Sequence, residues 1–312
     1  MEWIRPALSP HASRQRRRLG RPRLLIVGCG DVGLRIVSRL CRRFRLIALT
    51  SSIERAPLLR AAGVLPIVGN LDQRGSLRRL RGLAPWLIHL APPGSAGDDD
   101  ARTRRLAAVL AGHVDRAVYI STSGVYGDHG GQVIDETARL RPANERALRR
   151  IAGERMMRRR LRASVLRVPG IYAHDRLPLD RLRQRLPALA DEDDVYTNHI
   201  HADDLSRITI AALMRGSATR IYNAVDDTRY RMAQYFDAVA DATGLPRPPR
   251  LPRAQLKEAV SPMMYSFMTE SRRISNRRLK RELGVRLLYP TVADALATLP
   301  AGNAGGPGGP SA

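Results

Sequence analysis

The sequence predicts an α/β fold, a doubly wound parallel sheet followed by a smaller C-terminal lobe. Three observations carry that expectation. Short apolar runs alternate with amphipathic helical patterns over residues 21–170, an order that buries both faces of a parallel sheet. From Ile171 onward the alternation breaks, and proline and charge increase (Pro178, Pro187, the acidic run 191–194, then Pro246, Pro248, Pro249 and Pro252). A length of 312 residues suits one large or two modest domains, at roughly 100–200 residues each.

The predicted strands are residues 23–27, 45–49, 64–68, 86–90, 117–120 and 164–168. Runs this short and rich in Val, Ile and Leu suit strands buried on both faces. Between them, Val32, Ile36, Val37 and Leu40 share a helix face, as do Leu106, Val109 and Leu110, and later Leu148, Ile151 and Ala152. Residues 1–20 and 301–312 lack apolar periodicity and are read as disordered tails, the first of them basic.

The chain carries 53 Lys plus Arg against 29 Asp plus Glu, a formal charge of +24, and Lys257 and Lys280 are its only lysines. Such a charge attracts phosphorylated ligands or nucleic acid. The arginines are spread along most predicted helices rather than gathered in one element, so nucleic-acid binding is the weaker reading. Cys29 and Cys41 offer neither metal spacing nor a disulfide framework. No run approaches the roughly 18 apolar residues of a membrane helix, and the basic N-terminus lacks the apolar core of a secretory signal. A cytoplasmic location without membrane attachment or metal is the expectation.

Gly28-Cys29-Gly30-Asp31-Val32-Gly33 matches G-x-G-x-x-G. It follows the first strand and opens an amphipathic helix, the context that makes the pattern specific. Gly28 permits the tight turn, Gly30 lets main chain approach a pyrophosphate, and Gly33 lets the helix pack on the strand. Unpaired amides and the helix dipole then favour an anion there. These features predict a dinucleotide-binding Rossmann domain.

Cofactor choice is read at the end of the second strand. No carboxylate stands at its tip; Thr50, Ser51 and Ser52 do, with Arg55 nearby. Arg pairs well with a 2′-phosphate, so NADP is expected over NAD, with Glu54 as the residue that would restore NAD.

Further blocks resemble the extended short-chain dehydrogenase/reductase family, in its epimerase and dehydratase branch, over residues 21–295. They are the glycine turn, Gly69-Asn70-Leu71-Asp72, His89-Leu90-Ala91, Ser121-Thr122-Ser123-Gly124-Val125-Tyr126-Gly127, Leu166-Arg167-Val168-Pro169-Gly170-Ile171-Tyr172, His199-Ile200-His201-Ala202-Asp203-Asp204-Leu205 and Ile221-Tyr222-Asn223-Ala224. The segment Ser271-Arg272-Arg273-Ile274-Ser275-Asn276 and the stretch to Tyr289-Pro290 look like this family's tail. The resemblance implies that Asn70 and Leu71 hold adenine and that Leu90 and Ala91 pass close to the cofactor. It implies a return to the Rossmann domain over 198–225 and a substrate lobe built from 171–197 and 226–300. Asn70 stands where the family more often has Asp, and its amide oxygen still accepts a hydrogen bond.

Active members of the family use Y-x-x-x-K after the fifth strand, with a Ser or Thr ahead of it. The hydroxyl is present as Thr122, with Ser123 beside it, whereas no Tyr or Lys occurs between Tyr126 and Tyr172. Alignment from Pro142 puts Glu145 at the Tyr position and Arg149 at the Lys position. Their i, i+4 order favours a helix ion pair; the functional alternative makes Glu145 an acid or base and Arg149 a ribose or phosphate ligand. Tyr126 is expected to pack. His199 and His201, expected on opposite sides of an extended segment, are read as structural, and the acidic runs 98–100 and 191–194 as solvated surface.

The resulting expectation is an NAD(P)-dependent epimerase or oxidoreductase acting on a nucleotide sugar or related small molecule. The alternative is a non-catalytic, cofactor-binding sensor or assembly protein. Family members dimerise through helices beside the fourth and fifth strands. The arginines of 149–160 make a homodimer through that face a modest expectation.

Overall fold

A computed structural model describes residues 20–260 and 262–300. The tails expected at 1–20 and 301–312 lie outside the described residues, Gly20 apart. Six apolar runs become β1 (Arg23–Val27), β2 (Arg45–Thr50), β3 (Leu65–Val68), β4 (Trp86–His89), β5 (Arg116–Thr122) and β6 (Ser164–Val168). The chain then forms β7 (Gly170–Tyr172), pairs it with β8 (His199–His201), and rejoins the main sheet as β9 (Ile221–Asn223). The 7-stranded sheet has the order β9-β6-β5-β4-β1-β2-β3, with every neighbouring pair parallel. This is the doubly wound Rossmann arrangement, with the order reversing between β1 and β4, where such sheets bind ligands.

The helices that cover the sheet are α1 (Asp31–Leu40), α2 (Ala56–Ala61), α3 (Ala101–Leu110), α4 (Glu145–Leu161) and α5 (Ala202–Arg215). Alternation along the strands sorts the core into two layers. Leu24, Ile26, Leu46 and Ala48 pack with Ile36, Val37 and Leu40 of α1 and with Leu205 and Ile208 of α5. Leu25, Val27, Ile47 and Leu49 face the other way, onto Leu106 and Leu110 of α3 and Met157 and Leu161 of α4. Each fully buried side chain of this size contributes about 1.5–3 kcal/mol. A third apolar cluster (Tyr172, Leu189, Phe236, Val239, Met268, Leu296) draws on α6 (Met232–Thr243) and α7 (Pro262–Thr269).

Helix α4 departs from the expected face. Leu148 is 40% exposed, while Ala147, Arg150, Ile151, Glu154, Met157 and Leu161 are buried. Two of those buried positions are charged and satisfied by partners on the sheet: Arg150 donates to the Ile120 carbonyl (3.0 Å) and Glu154 holds Arg167 of β6 (2.8 Å). A hydrophobic pattern cannot find a face whose buried positions carry charge.

Candidate functional site

Two cavities open at the C-terminal ends of the parallel strands. The first, of about 450 Å³, is lined by Gly28, Cys29 and Gly30 after β1, Thr50, Ser51, Ser52 and Arg55 after β2, Gly69, Asn70 and Leu71 after β3, and Leu90 and Ala91 after β4. It gathers most of the expected cofactor residues. Asp31, Val32 and Gly33 form the first turn of α1 beside it. Gly28 has φ +84°, and a Cβ there would stand 2.5 Å from the Ala91 nitrogen. A Cβ on Gly30 would meet nothing within 4 Å, so bare main chain faces open space at the start of the helix. Gly33 packs on the Cys29 sulfur, 3.2 Å from its would-be Cβ.

The electrostatics of this cavity are one-sided. Arg55 donates to the Cys29 carbonyl (3.0 Å), which lays its guanidinium beside the glycine turn. Arg102 of α3, which sequence reading missed, lines the same cavity and grips Asp72 at 2.5 Å; no local motif signals it. No carboxylate lines the cavity among the described residues. Glu54 is exposed and takes a hydrogen bond from Ser52, which holds its pKa below the usual carboxylate range. The Asn70 amide oxygen accepts from the Asp72 N–H (2.8 Å), keeping one lone pair free. Asp31 is paired with Arg35 (3.0 Å) and Arg176 (2.8 Å). Burial lifts the Cys29 thiol to about 11, so it stays protonated near neutrality and is no nucleophile.

The second cavity, of about 380 Å³, is lined by Thr122, Ser123 and Gly124 after β5, by Asn144, Arg146 and Ala147 at the start of α4, and by Pro169, Gly170, Ile171 and Tyr172 around β7. Its far walls are Tyr196 to His199, Met232 and Tyr235 of α6, Met264 and Phe267 of α7, and Glu270 with Arg272. The Thr122 hydroxyl oxygen accepts the Gly124 N–H (3.2 Å), leaving its proton to donate.

Glu145 and Arg149 do not line this cavity. Glu145 has a side chain 70% exposed, and Arg149 is buried, bonded to the Gly97 carbonyl and paired with Glu145 at 3.3 Å. The pair thus forms the helix ion pair that its spacing favours. The next register on the helix places Arg146 on the cavity wall and Arg150, one turn on, against β5. One residue turns a helical side chain by about 100°, enough to exchange a solvent position for a cavity one. The buried Glu154, one turn after Arg150, marks the face of α4 that meets the sheet, and its Arg167 partner has no signal in the local sequence.

Tyr126 is buried and donates to Asn223 (2.7 Å). His199 and His201 lie on one side, both edge-on to Tyr172, with ring centroids 6.2 and 5.3 Å away. Residues two apart in a strand must share a face, which corrects the expectation of opposite sides. Asp100 is also buried rather than solvated: it caps α3 through the Thr103 N–H (3.0 Å). No metal-ligating cluster occurs, and no helix is long and apolar enough to cross a membrane, among the described residues.

Burial sets a measurable pH response. It pushes His89 and His199 down to about 3, and Asp226 up to about 7. Between about pH 6 and 4 the unfolded chain holds a proton on each histidine while the folded chain holds one on Asp226, so unfolding takes up a net proton. Stability should fall by about 1.4 kcal/mol per unit as pH drops through this window. The slope should flatten toward about pH 3, where the folded histidines also take up protons. Urea midpoints at a series of pH values test this; a flat profile refutes it.

No family model matches the sequence. A 4-hydroxy-2-methyl-3-oxo-4-farnesyl-3,4-dihydroquinoline-1-oxide ketoreductase of Stigmatella aurantiaca is 32% identical over 111 residues, 32% of this chain and 33% of the ketoreductase. The match thus spans about a third of that relative's length. A conserved protein of unknown function from Silicibacter pomeroyi has a similar structure, with TM-score 0.75 and 29% identity over 89% of this chain and 98% of that one. A UDP-glucuronic acid 4-epimerase from Bacillus cereus, solved with NAD, gives TM-score 0.70 at 15% identity over 88% of this chain and 96% of the epimerase. At that identity the likeness is one of fold: this chain is built on the Rossmann-like α/β plan that the epimerase uses.

Proposed function

We propose that the chain binds NADP in the first cavity and acts as an epimerase/dehydratase-like oxidoreductase on a small molecule held in the second. The observation that carries this reading is Gly30, whose bare main chain faces open space at the N-terminus of α1, in a cavity lined also by Arg55 and Arg102 and, among the described residues, by no carboxylate. A dinucleotide diphosphate fits a cradle of this kind, where helix amides and dipole meet an anion. Arg55, Ser51 and Ser52 suit a 2′-phosphate, and Asn70 with Leu71 suits the adenine. The nicotinamide supplies hydride exchange when the cofactor is bound. The chain's own contribution is positional: the Thr122 hydroxyl hydrogen-bonds the reacting oxygen, and the walls of the second cavity exclude water. The epimerase likeness by itself suggests a nucleotide sugar as substrate; the lining of the second cavity is a separate constraint on that class.

Calorimetric titration with NADP and NAD tests the reading. NADP should bind more tightly, and Arg55→Ala should weaken it about tenfold while changing NAD by no more than about twofold, the loss of one charge-assisted phosphate contact. Absence of binding by either nucleotide ends it.

The dyad positions favour a second reading, a cofactor-binding sensor without turnover. Arg146 and Arg150 stand where proton exchange needs Tyr and Lys, and an arginine cannot shuttle protons near neutral pH. Turnover of any carbonyl substrate with stoichiometric loss of reduced NADP would remove this alternative.

A further inference from the structure

The second cavity carries a chemical signature of its own. Of its two cations, Arg272 is committed: it donates to the Gly127 carbonyl (2.8 Å) and pairs with Glu270 (2.7 Å), in side chains only 10% and 11% exposed. Arg146 lines the same cavity with no carboxylate partner among the described residues, and the charges that act on it most, Arg150 and Arg149, are of like sign. The side-chain amides around it are already spent on backbone. Asn144 caps α4 through the Ala147 N–H (2.9 Å), while Asn198 accepts from Ile274 N–H (2.9 Å) and donates to the Arg272 carbonyl (2.9 Å). His199 is stacked on Tyr235 at 4.1 Å. Thr122, Ser123 and Thr197 leave hydroxyls on the wall, much of the rest is apolar or aromatic, including Ile171, Met232 and Phe267, and Phe267 is 50% exposed although large and apolar.

A nucleotide sugar brings several hydroxyls that want fixed polar partners and a diphosphate that wants cations. This cavity offers a few hydroxyls, side-chain amides already engaged elsewhere, and one arginine without a carboxylate partner among the described residues. A flat apolar ring system finds stacking and dispersion contacts here, and one planar anion finds one free guanidinium that can grip it with two parallel hydrogen bonds. We propose that the second cavity takes a ring-bearing, largely apolar monocarboxylate, with Arg146 holding the carboxylate and Phe267 covering the rings. The inference deepens the oxidoreductase reading above and rests on it only for the chemistry that follows binding.

The test is calorimetric titration of the full chain, with and without NADP, using 2-naphthoate, neutral 2-acetonaphthone and UDP-glucose as probes. 2-Naphthoate should bind more tightly than UDP-glucose. Arg146→Gln should weaken 2-naphthoate about tenfold while leaving 2-acetonaphthone within about twofold, the signature of one lost ion pair. Phe267→Ala should weaken both naphthyl probes about fivefold through lost apolar contact. Tighter binding of UDP-glucose, or an Arg146→Gln variant that binds 2-naphthoate as well as the parent, overturns the proposal. The NADP arm separates the two readings. A chain that binds 2-naphthoate through Arg146 but no NADP sustains this inference and sinks the cofactor reading; the reverse result sinks this inference alone.

Discussion

Gly30→Ala should leave the fold intact and reduce dinucleotide affinity by about a hundredfold or more, because a methyl in the anion's path displaces charge-assisted contacts together worth about 3 kcal/mol. No atom lies within 4 Å of the added Cβ, and Gly30 has φ −85°, a value open to alanine. Stability therefore has no reason to change. Gly28→Ala should behave in the opposite way. Its Cβ would stand 2.5 Å from the Ala91 nitrogen and 2.7 Å from the Ala91 Cα, at φ +84°. A left-handed backbone costs a side chain about 1–2 kcal/mol and overpacking against main chain about 1–3 more, so a loss of roughly 2–5 kcal/mol is expected. Urea denaturation and nucleotide titration on both variants distinguish the roles. If Gly30→Ala binds NADP like the parent, the diphosphate does not lie on this turn.

Glu154→Leu should destabilise the fold by about 3–5 kcal/mol, the usual cost of stranding one member of a buried ion pair. Glu154 and Arg167 have side chains only 3% exposed each and meet at 2.8 Å, with a second contact at 3.1 Å. Ser121 also donates to Glu154 (2.6 Å), and the Arg167 guanidinium lies over the Tyr126 ring, 4.8 Å from its centroid. Burial pulls the Arg167 pKa down, and the Glu154 carboxylate more than reverses it, leaving the guanidinium raised above its ordinary value. The double variant Glu154→Leu, Arg167→Met should recover most of the loss, since an apolar pair of similar volume removes the desolvated charge altogether. Ser121 precedes Thr122 on β5, so the single variant should also disturb the second cavity. Denaturation midpoints of the two variants and the parent check the argument. Equal destabilisation by single and double variants would mean that the stranded charge is not what matters.

The six apolar runs and the glycine turn were legible because each is fixed by local chemistry. Strands buried on both faces need unbroken apolar residues, and Gly28 needs the one residue type that tolerates its backbone and its neighbour. The grouping of Gly28, Gly30, Arg55, Asn70 and Ala91 around one cavity followed from the fold order, since residues at the C-terminal strand ends must meet there. The reading faltered on α4. Its buried face carries Arg150 and Glu154, which bond to Ile120 and Arg167 across the chain, so the hydrophobic period missed that face, and the alignment from Pro142 singled out Glu145 and Arg149 where the structure puts Arg146 on the cavity wall.

By itself, then, the sequence determined the sheet's strands and the glycine turn that follows the first of them, because periodicity and glycine stereochemistry act within a few residues. Tertiary structure alone decided which of the second cavity's two arginines has a carboxylate partner among the described residues. Arg272 is neutralised by Glu270 and anchored to Gly127, whereas Arg146 is left facing a cavity walled by α6 and α7. Charge pairing depends on distances between groups far apart along the chain, and composition carries no record of those distances.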